Sequence, residues 1–202
     1  MQNNTIIYYN NNSRQLANRY ESANVKEVQK LLIETFKKES KILEVGCGSG
    51  RDAAYMIKND YSIVAIDGSK EMIAEAKNIH PELSKNLLYK SLPNDLNFEM
   101  KFDGIYSIAT LMHLSENDLN KTISKIYNLL EHNGKFLISV SLSRDDINEE
   151  GFDNKGRFFL ILTLENWINI CESIGFRILY TYINKDGLQR DGIEWLTLVA
   201  QK

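Results

Sequence analysis

The sequence has few of the features that mark disulfide-rich, metal-binding or membrane proteins. Its 202 residues include only two cysteines, Cys47 and Cys171, and their spacing suits neither a disulfide framework nor a zinc site. No apolar run approaches the ~18 residues that a membrane-spanning helix needs. The N-terminus also does not join a basic start to an apolar core, as a secretory signal does. We therefore expect a cytoplasmic protein with no metal site and no membrane contact.

A surplus of basic residues is missing as well. The chain has 24 Lys and Arg against 27 Asp and Glu, which gives a net charge of −3. Nucleic-acid-binding proteins commonly show a clustered basic surplus, so a nucleic-acid partner is not favoured, although a local basic patch is compatible with this composition. With 43% hydrophobic residues and only two prolines, the composition is that of a globular protein. We expect one domain over residues 1–202, and the sequence does not indicate an oligomeric state.

Short apolar segments alternate along the chain with segments of helical periodicity. The predicted strands are 41–46, 62–66, 87–90, 102–108, 135–140, 176–183 and 193–200. The predicted helices are 24–38, 51–58, 70–79, 164–174 and one that starts after Ser115 and ends at Asn133-Gly134. Such alternation predicts an α/β fold, a seven-stranded, mostly parallel sheet with helices on both faces. The last two strands, joined by Lys185-Asp186-Gly187, form an antiparallel hairpin in this prediction.

A glycine-rich loop follows the first predicted strand. Gly46-Cys47-Gly48-Ser49-Gly50 lies between that strand and a helix, where glycines allow a sharp turn and close approach of a ligand. Asp67 lies 17 residues after Gly50, at the end of the second predicted strand. Its carboxylate is placed to accept two hydrogen bonds from a ribose diol. The loop therefore predicts a nucleoside cofactor.

The spacing of the glycines and a neighbouring acid distinguish between cofactors. Dinucleotide enzymes use G-x-G-x-x-G, which presents a helix N-terminus to a pyrophosphate, whereas the spacing here is G-x-G-x-G. Glu44 precedes the loop on the same strand and would oppose a pyrophosphate. S-adenosylmethionine (SAM) carries a sulfonium and an α-amino group and no phosphate. We therefore predict SAM as the cofactor and S-adenosylhomocysteine as its product.

Three segments resemble the class I, Rossmann-like SAM-dependent methyltransferases. They are Ile42–Gly50 followed by Val64–Asp67, then Phe102–Ser107 with Leu111–Leu114, and then Leu129–Phe136, where Asn133 stands in place of the commoner proline. The resemblance covers roughly residues 24–200. It implies that the glycines pass under the methionine and ribose, that Asp67 holds the ribose hydroxyls, and that Ile108 and Ala109 line the methyl-transfer side. The family often has an acidic residue near the adenine edge, directly after the third strand. Asp95 is the acidic residue here, and it lies a few positions further along the chain.

From the loop and the resemblance we expect a set of residues to bind SAM. The set is Glu44, Gly46, Cys47, Gly48, Gly50, Arg51, Asp52, Asp67, Gly68, Ser69, Met72, Ser91, Leu92 and Ile108.

Catalytic residues are less well defined, because SAM carries the chemistry of methyl transfer and the protein supplies alignment. A general base is needed only for a nucleophile with a proton of high pKa. His113 and Tyr9 are the candidates. The alternative for His113 is a polar residue that starts a helix.

Two polar, aromatic segments are candidates for covering the acceptor. Residues 1–23 form either a helical lid or a frayed terminus, and residues 141–162 form a loop of a length typical of functional loops. The candidate residues for contact with the substrate are Tyr8, Tyr9, Arg14, Arg19, Tyr20, Arg157, Phe159 and Trp195. The alternative for Trp195, in the terminal hairpin, is packing.

The sequence lacks the motifs of two classes of DNA methyltransferase. Pro81 and Pro93 are not adjacent, so there is no Asn/Asp-Pro-Pro-aromatic motif, and neither cysteine follows a proline as in cytosine-C5 enzymes. We therefore expect methyl transfer to O, N or S of a small molecule. The alternatives are a tRNA, nucleotide or peptide substrate, and a SAM-binding protein or regulator that does not methylate.

Overall fold

A computed structural model of the chain describes residues 2–185 and 192–202. The strands are β1 (Lys41–Val45), β2 (Ser62–Asp67), β3 (Leu87–Tyr89), β4 (Phe102–Ile108), β5 (Leu130–Ser141), β6 (Arg177–Lys185) and β7 (Glu194–Gln201). The α-helices are α1 (Gln2–Asn11), α2 (Ser13–Ser22), α3 (Lys26–Thr35), α4 (Arg51–Lys58), α5 (Lys70–Ile79), α6 (Glu116–Leu129) and α7 (Leu164–Ile174). Short 3-10 turns cover Pro81–Leu83 and Leu111–His113.

The seven strands form one sheet in the order β3-β2-β1-β4-β5-β7-β6. The first five are parallel, and β7 pairs antiparallel with both β5 and β6. The predicted mixed α/β sheet is thus confirmed, including the antiparallel hairpin, although residues 186 and 187 of the predicted turn lie outside the described residues. From β1 to β3 the chain adds strands on one side of β1, and from β4 onward it adds them on the other side, so the strand order reverses between β1 and β4. Ligands of such sheets bind at the carboxyl ends of the strands beside that point.

Apolar residues pack on both faces of the sheet because alternate strand residues point to opposite sides. On β4, Ile105 belongs to one buried cluster and Tyr106 to another. Buried clusters on the two faces fit a mainly parallel sheet that is covered by helices on both sides. Among the described residues, no helix is long and apolar enough to cross a bilayer, and no group of three or more His, Cys, Asp or Glu is placed to hold a metal ion.

Three predicted helix caps are present. The side chains of Ser69, Ser115 and Thr163 accept hydrogen bonds from the backbone N–H groups of Met72, Asp118 and Asn166. Each bond satisfies an N–H that the first turn of a helix leaves without an intrahelical partner. The predicted stop of α7 at Gly175 is also confirmed, with φ at 114°.

The predicted end of α6 at Asn133-Gly134 was wrong. The helix ends at Leu129, and β5 begins at Leu130. The terminal residue supplies the reason: the Lys202 ammonium donates to the carbonyl oxygens of Tyr127 and Leu130 at 2.7 and 2.9 Å. It thereby satisfies acceptors that a longer helix would have paired internally.

The N-terminal segment is helical. Leu16 and Ala17 of α2 pack with Met72 of α5 in a small buried cluster. Asn10 of α1 adds a polar contact, since its Oδ1 accepts from Ser69 Oγ at 2.7 Å. Helices α1 and α2 are therefore attached to the helix that follows β2. The helix predicted over 24–38 is shorter than expected and spans 26–35 as α3.

Candidate cofactor and acceptor site

The glycine loop lies at the carboxyl end of β1 and is held by backbone hydrogen bonds. The N–H groups of Gly46 and Cys47 both donate to the carbonyl oxygen of Ile66, at 2.8 and 2.9 Å. The three glycines have positive φ values of 85°, 54° and 82°. A Cβ on Gly46 would overlap the Thr110 side chain, so only glycine fits there without displacing the segment after β4.

Asp67 connects the loop to the end of β2. One of its carboxylate oxygens accepts from the Gly48 N–H at 2.9 Å and the other from the Ser69 N–H at 2.8 Å. Burial raises the pKa of this carboxyl, while the backbone N–H donors lower it. Each oxygen retains capacity for a further hydrogen bond, so the fixed carboxylate can accept from a pair of ligand hydroxyls.

Glu44 lies under the loop as a buried acid with an unused acceptor. The residue is 3% exposed, and its Oε2 has no hydrogen-bond partner among the described residues. Burial and then the Asp52 carboxylate raise its pKa, while the Tyr106 hydroxyl and Arg51 oppose the shift. A buried acceptor without a partner is costly. A ligand that brings a cationic N–H donor to this point would remove that cost.

Arg51 joins the loop to the N-terminal helices. Its guanidinium makes two hydrogen bonds to Asp52, at 3.0 and 2.8 Å. A third runs from Nη1 to the carbonyl oxygen of Tyr20 at 2.8 Å. The end of α2 is therefore held directly over the start of α4.

One cavity of about 490 Å³ joins these groups. Of the residues predicted to bind the cofactor, those that line the cavity are Glu44, Gly46, Cys47, Gly48, Arg51, Asp52, Asp67, Gly68, Ser91, Leu92 and Ile108. The other three lie outside it: Gly50 packs against Ala76, Ser69 caps α5, and Met72 is buried in the cluster with α2. The volume of the cavity falls within the range of small-molecule sites.

The predicted catalytic and substrate-contact residues divide into three groups. Tyr9, Tyr20 and His113 line the cavity. Tyr8, Arg157 and Phe159 lie behind them, with the Arg157 guanidinium 5.2 Å from the Tyr8 ring centre and 5.1 Å from that of Phe159. Arg14 and Arg19 are exposed, and Trp195 packs against the core from β7. The structure thus brings Tyr9, Tyr20 and His113 together and leaves Arg14, Arg19 and Trp195 away from the cavity.

Some lining residues were not predicted. Thr5 and Ile6 of α1 have no pattern in the sequence that distinguishes them from their neighbours. Thr110 could have been found, since it follows Ile108 and Ala109 at the carboxyl end of β4 and bonds to the Ile108 carbonyl at 3.2 Å.

His113 lines the cavity and is held by both ring nitrogens. Nδ1 lies 2.6 Å from the Phe158 carbonyl oxygen, and Nε2 lies 3.2 Å from the Tyr9 hydroxyl. Burial lowers the pKa of His113 to about 4, and burial raises that of Tyr9 above its ordinary value. Both groups are therefore neutral near pH 7. The Phe158 N–H in turn donates to Thr5 Oγ1 at 2.9 Å, so α1 is fixed to the loop after β5.

The sequence matches the model of a protein family described as a methyltransferase domain, over residues 14–181. The chain belongs to this family. The predicted methyltransferase family is thereby confirmed, and the predicted fold is that of a SAM-dependent methyltransferase of known structure.

Three proteins of known name are similar to this chain, one in sequence and two in structure. A glycine/sarcosine N-methyltransferase from Aphanothece halophytica is 26% identical over 136 residues, which are 63% of this chain and 50% of that protein. The chain thus matches only about half the length of this relative.

Two solved structures share the fold. A TehB-like SAM-dependent methyltransferase from Corynebacterium glutamicum superposes with a TM-score of 0.72, at 21% identity, over 94% of this chain and 97% of that one. A 1,6-didemethyltoxoflavin-N1-methyltransferase from Burkholderia thailandensis, with its namesake substrate and S-adenosylhomocysteine bound, superposes with a TM-score of 0.71, at 20% identity, over 88% and 77%.

Proposed function

We propose that the protein transfers a methyl group from SAM to an oxygen, nitrogen or sulfur atom of a small molecule. The observation that carries the proposal is a cavity whose lining includes the glycine loop together with Tyr9 and His113. Helices α1 and α2 cover it, as the lid expected from the sequence would. A covered cavity of this kind suits a small acceptor better than a folded macromolecule.

The chain's own residues fit SAM. Asp67 would hold the ribose hydroxyls, and the unpaired Oε2 of Glu44 would receive the α-amino group. Gly46 and Gly48 line the same cavity, and both have the positive φ that glycine adopts without strain. Ser91 and Leu92, after β3, would border the adenine. When bound, SAM supplies an electrophilic methyl group on its sulfonium.

What the protein adds is alignment and exclusion of water. Methyl transfer requires the nucleophile in line with the methyl group, and holding two reactants in such a geometry removes much of the entropic barrier. Ile108, Ala109 and Thr110 lie between the loop and His113, and are placed to set that distance. The cover made by α1 and α2 would keep water from the reacting atoms.

The similar proteins and the charge support a small acceptor. Two of the three similar proteins are named for small molecules: one for glycine and sarcosine, the other for 1,6-didemethyltoxoflavin. A net charge of −3 does not favour a nucleic-acid substrate. A modified tRNA, nucleotide or peptide is the second candidate, and a SAM-binding regulator the third. A cytoplasmic location and a single domain over residues 1–202 stay predictions.

Fractionation of labelled products would separate these functions. The purified protein is incubated with methyl-labelled SAM and a cell extract, and label is then measured separately in small molecules, RNA and protein. We expect label in the small-molecule fraction, at an unchanged level when the extract has been treated with ribonuclease. Label confined to RNA or protein would contradict the proposal, and no label in any fraction, with SAM still bound, would favour the regulator.

A further inference from the structure

The tautomer of His113 follows from its partners. A carbonyl oxygen can only accept, so the 2.6 Å contact with the Phe158 carbonyl places a proton on Nδ1. The neutral ring then has a lone pair on Nε2, and the Tyr9 hydroxyl, 3.2 Å away, donates to it. His113 thus presents a hydrogen-bond acceptor, and not a donor, to the cavity.

The contact between Tyr9 and His113 has the features of one that a ligand could replace. At 3.2 Å it is longer than the usual 2.5–3.0 Å of a hydrogen bond donated by a hydroxyl. Tyr9 comes from α1, a helix of the cover, whereas His113 is fixed from behind by Phe158 and lies 4.5 Å, centre to centre, from the Phe159 ring. An incoming hydroxyl or thiol could therefore donate to Nε2 while the phenol moves aside.

Cations behind His113 bear on the charge of the acceptor. Arg157 and Arg144 both lower the pKa of His113, and Asp153 raises it. Each guanidinium is paired with a carboxylate, Arg157 with Asp153 and Arg144 with Asp146. The Arg144 guanidinium also lies 3.9 Å from the centre of the Phe159 ring. Burial and the groups around the ring therefore disfavour a resting positive charge at Nε2 and would disfavour a bound ammonium group for the same reason, whereas a proton taken up during methyl transfer leaves with the product.

We propose that Tyr9 and His113 form the acceptor subsite, and that it takes a small molecule whose nucleophile is a hydroxyl or thiol, with its proton directed at Nε2 of His113. The inference rests on the proposed function and names the acceptor class for it. An aliphatic ammonium is excluded, because it has no lone pair for the methyl group and would bring a positive charge beside a site held neutral.

The proton and bond changes balance without a further reactant. As the new bond from oxygen or sulfur to the methyl carbon forms, the bond from that carbon to the sulfonium sulfur breaks and leaves a neutral thioether. The acceptor's proton passes to Nε2, which gives an imidazolium. A hydroxyl or thiol becomes strongly acidic once methylated, so a base of low pKa is sufficient. The imidazolium then returns its proton to solvent when the product leaves.

The first test needs no acceptor. Ring-nitrogen NMR of the three histidines, His80, His113 and His132, is recorded across a pH titration, with His113→Gln to assign the signal. We expect His113 to carry its proton on Nδ1 and to stay neutral down to about pH 4. A proton on Nε2 at neutral pH, or titration at the ordinary value of 6.5, would overturn the proposal.

The second test compares acceptors that share a benzene ring. The full chain is given labelled SAM with phenol, benzyl thiol or benzylamine, and SAM binding is measured in parallel by calorimetry. We expect turnover of the phenol or the thiol over benzylamine. His113→Gln should lower kcat by roughly 100-fold or more, as loss of a general base does, and leave SAM binding unchanged. The exposed His132→Gln is the matched control and should leave both quantities unchanged.

The outcomes separate the two proposals. Preference for benzylamine, an undiminished kcat in His113→Gln, or no turnover of the phenol and thiol by protein that binds SAM would each overturn the acceptor class proposed for Tyr9 and His113. Failure of the wild-type protein to bind SAM would instead overturn the proposed function.

Discussion

His113 gives the folded chain a stability that depends on pH. The side chain is 8% exposed, and burial lowers its pKa from 6.5 to about 4. Between these values the unfolded chain binds a proton that the folded chain does not, so the free energy of unfolding rises with pH across this window. A shift of this size corresponds to about 3 kcal/mol, fully present above pH 6.5 and lost as the pH falls towards 4.

Denaturation by urea at pH values from 4 to 7 would measure the contribution of His113 to the free energy of unfolding. We expect the free energy of unfolding of the wild type to fall more steeply below pH 6.5 than that of His113→Gln, which has no group that titrates there. His132→Gln, at an exposed position, should keep the wild-type slope. Parallel curves for the wild type and His113→Gln would show that His113 is not held neutral by the fold.

Single residues of the cofactor loop were predictable, and the acceptor end was predictable only in part. Gly46, Gly48, Glu44 and Asp67 line the cavity as expected, because a strand, a glycine turn and a second strand fix their relative positions within a short stretch of chain. The contact between Tyr9 and His113 joins residues 104 positions apart. Both were candidates, but no local pattern gives the orientation of α1 that brings them together.

At the scale of elements, α1 is held to α5 by the side chain of Asn10, which accepts hydrogen bonds at the first turn of α5. Asn10 Oδ1 accepts from Ser69 Oγ at 2.7 Å and from the Glu71 N–H at 3.4 Å. Asn10→Ala removes this acceptor, so we expect a loss of about 1 kcal/mol, as for a helix cap. Because the contact belongs to the cover, the amides of α1 should exchange with solvent faster while those of β1 and β4 do not.

Amide hydrogen exchange with mass spectrometry would check this, with Asn12→Ala as the matched control. Asn12 Nδ2 donates to the carbonyl oxygen of Tyr8, four residues before it in the chain, so its loss should leave α1 attached to α5. Equal exchange of α1 in both variants would mean that Asn10 does not hold the cover.

Elements with a strong local signal were predicted well, and those set by distant residues were not. Ser69, Ser115 and Thr163 marked helix starts because a cap depends only on the next three residues. The end of α6 was misplaced because it depends on Lys202, more than 70 residues away in the chain. Helix α1 has almost no amphipathic pattern, and α2 depends on α5 for the burial of Leu16 and Ala17.

At the scale of the molecule, the sheet topology explains where the site lies. The alternation of strands and helices predicted a parallel sheet, and the reversal between β1 and β4 places the glycine loop and the segment after β4 side by side. A hairpin pattern predicts that β6 pairs with β7, but it does not specify which of the two strands pairs with β5. In the structure β7 does, and it therefore lies between β5 and β6. The cofactor end of the cavity therefore follows from chain order, and its cover from tertiary packing.

Binding of SAM, measured by calorimetry on the purified chain, tests the central claim most directly. We predict micromolar binding to the wild type and at least roughly tenfold weaker binding to Asp67→Ala, since two hydrogen bonds to a carboxylate are lost. Asp103→Ala is the matched control: its carboxylate also accepts from a backbone N–H, that of Lys41, but at the amino ends of β1 and β4. It should bind SAM as the wild type does. Folded wild-type protein that binds no SAM would contradict the account.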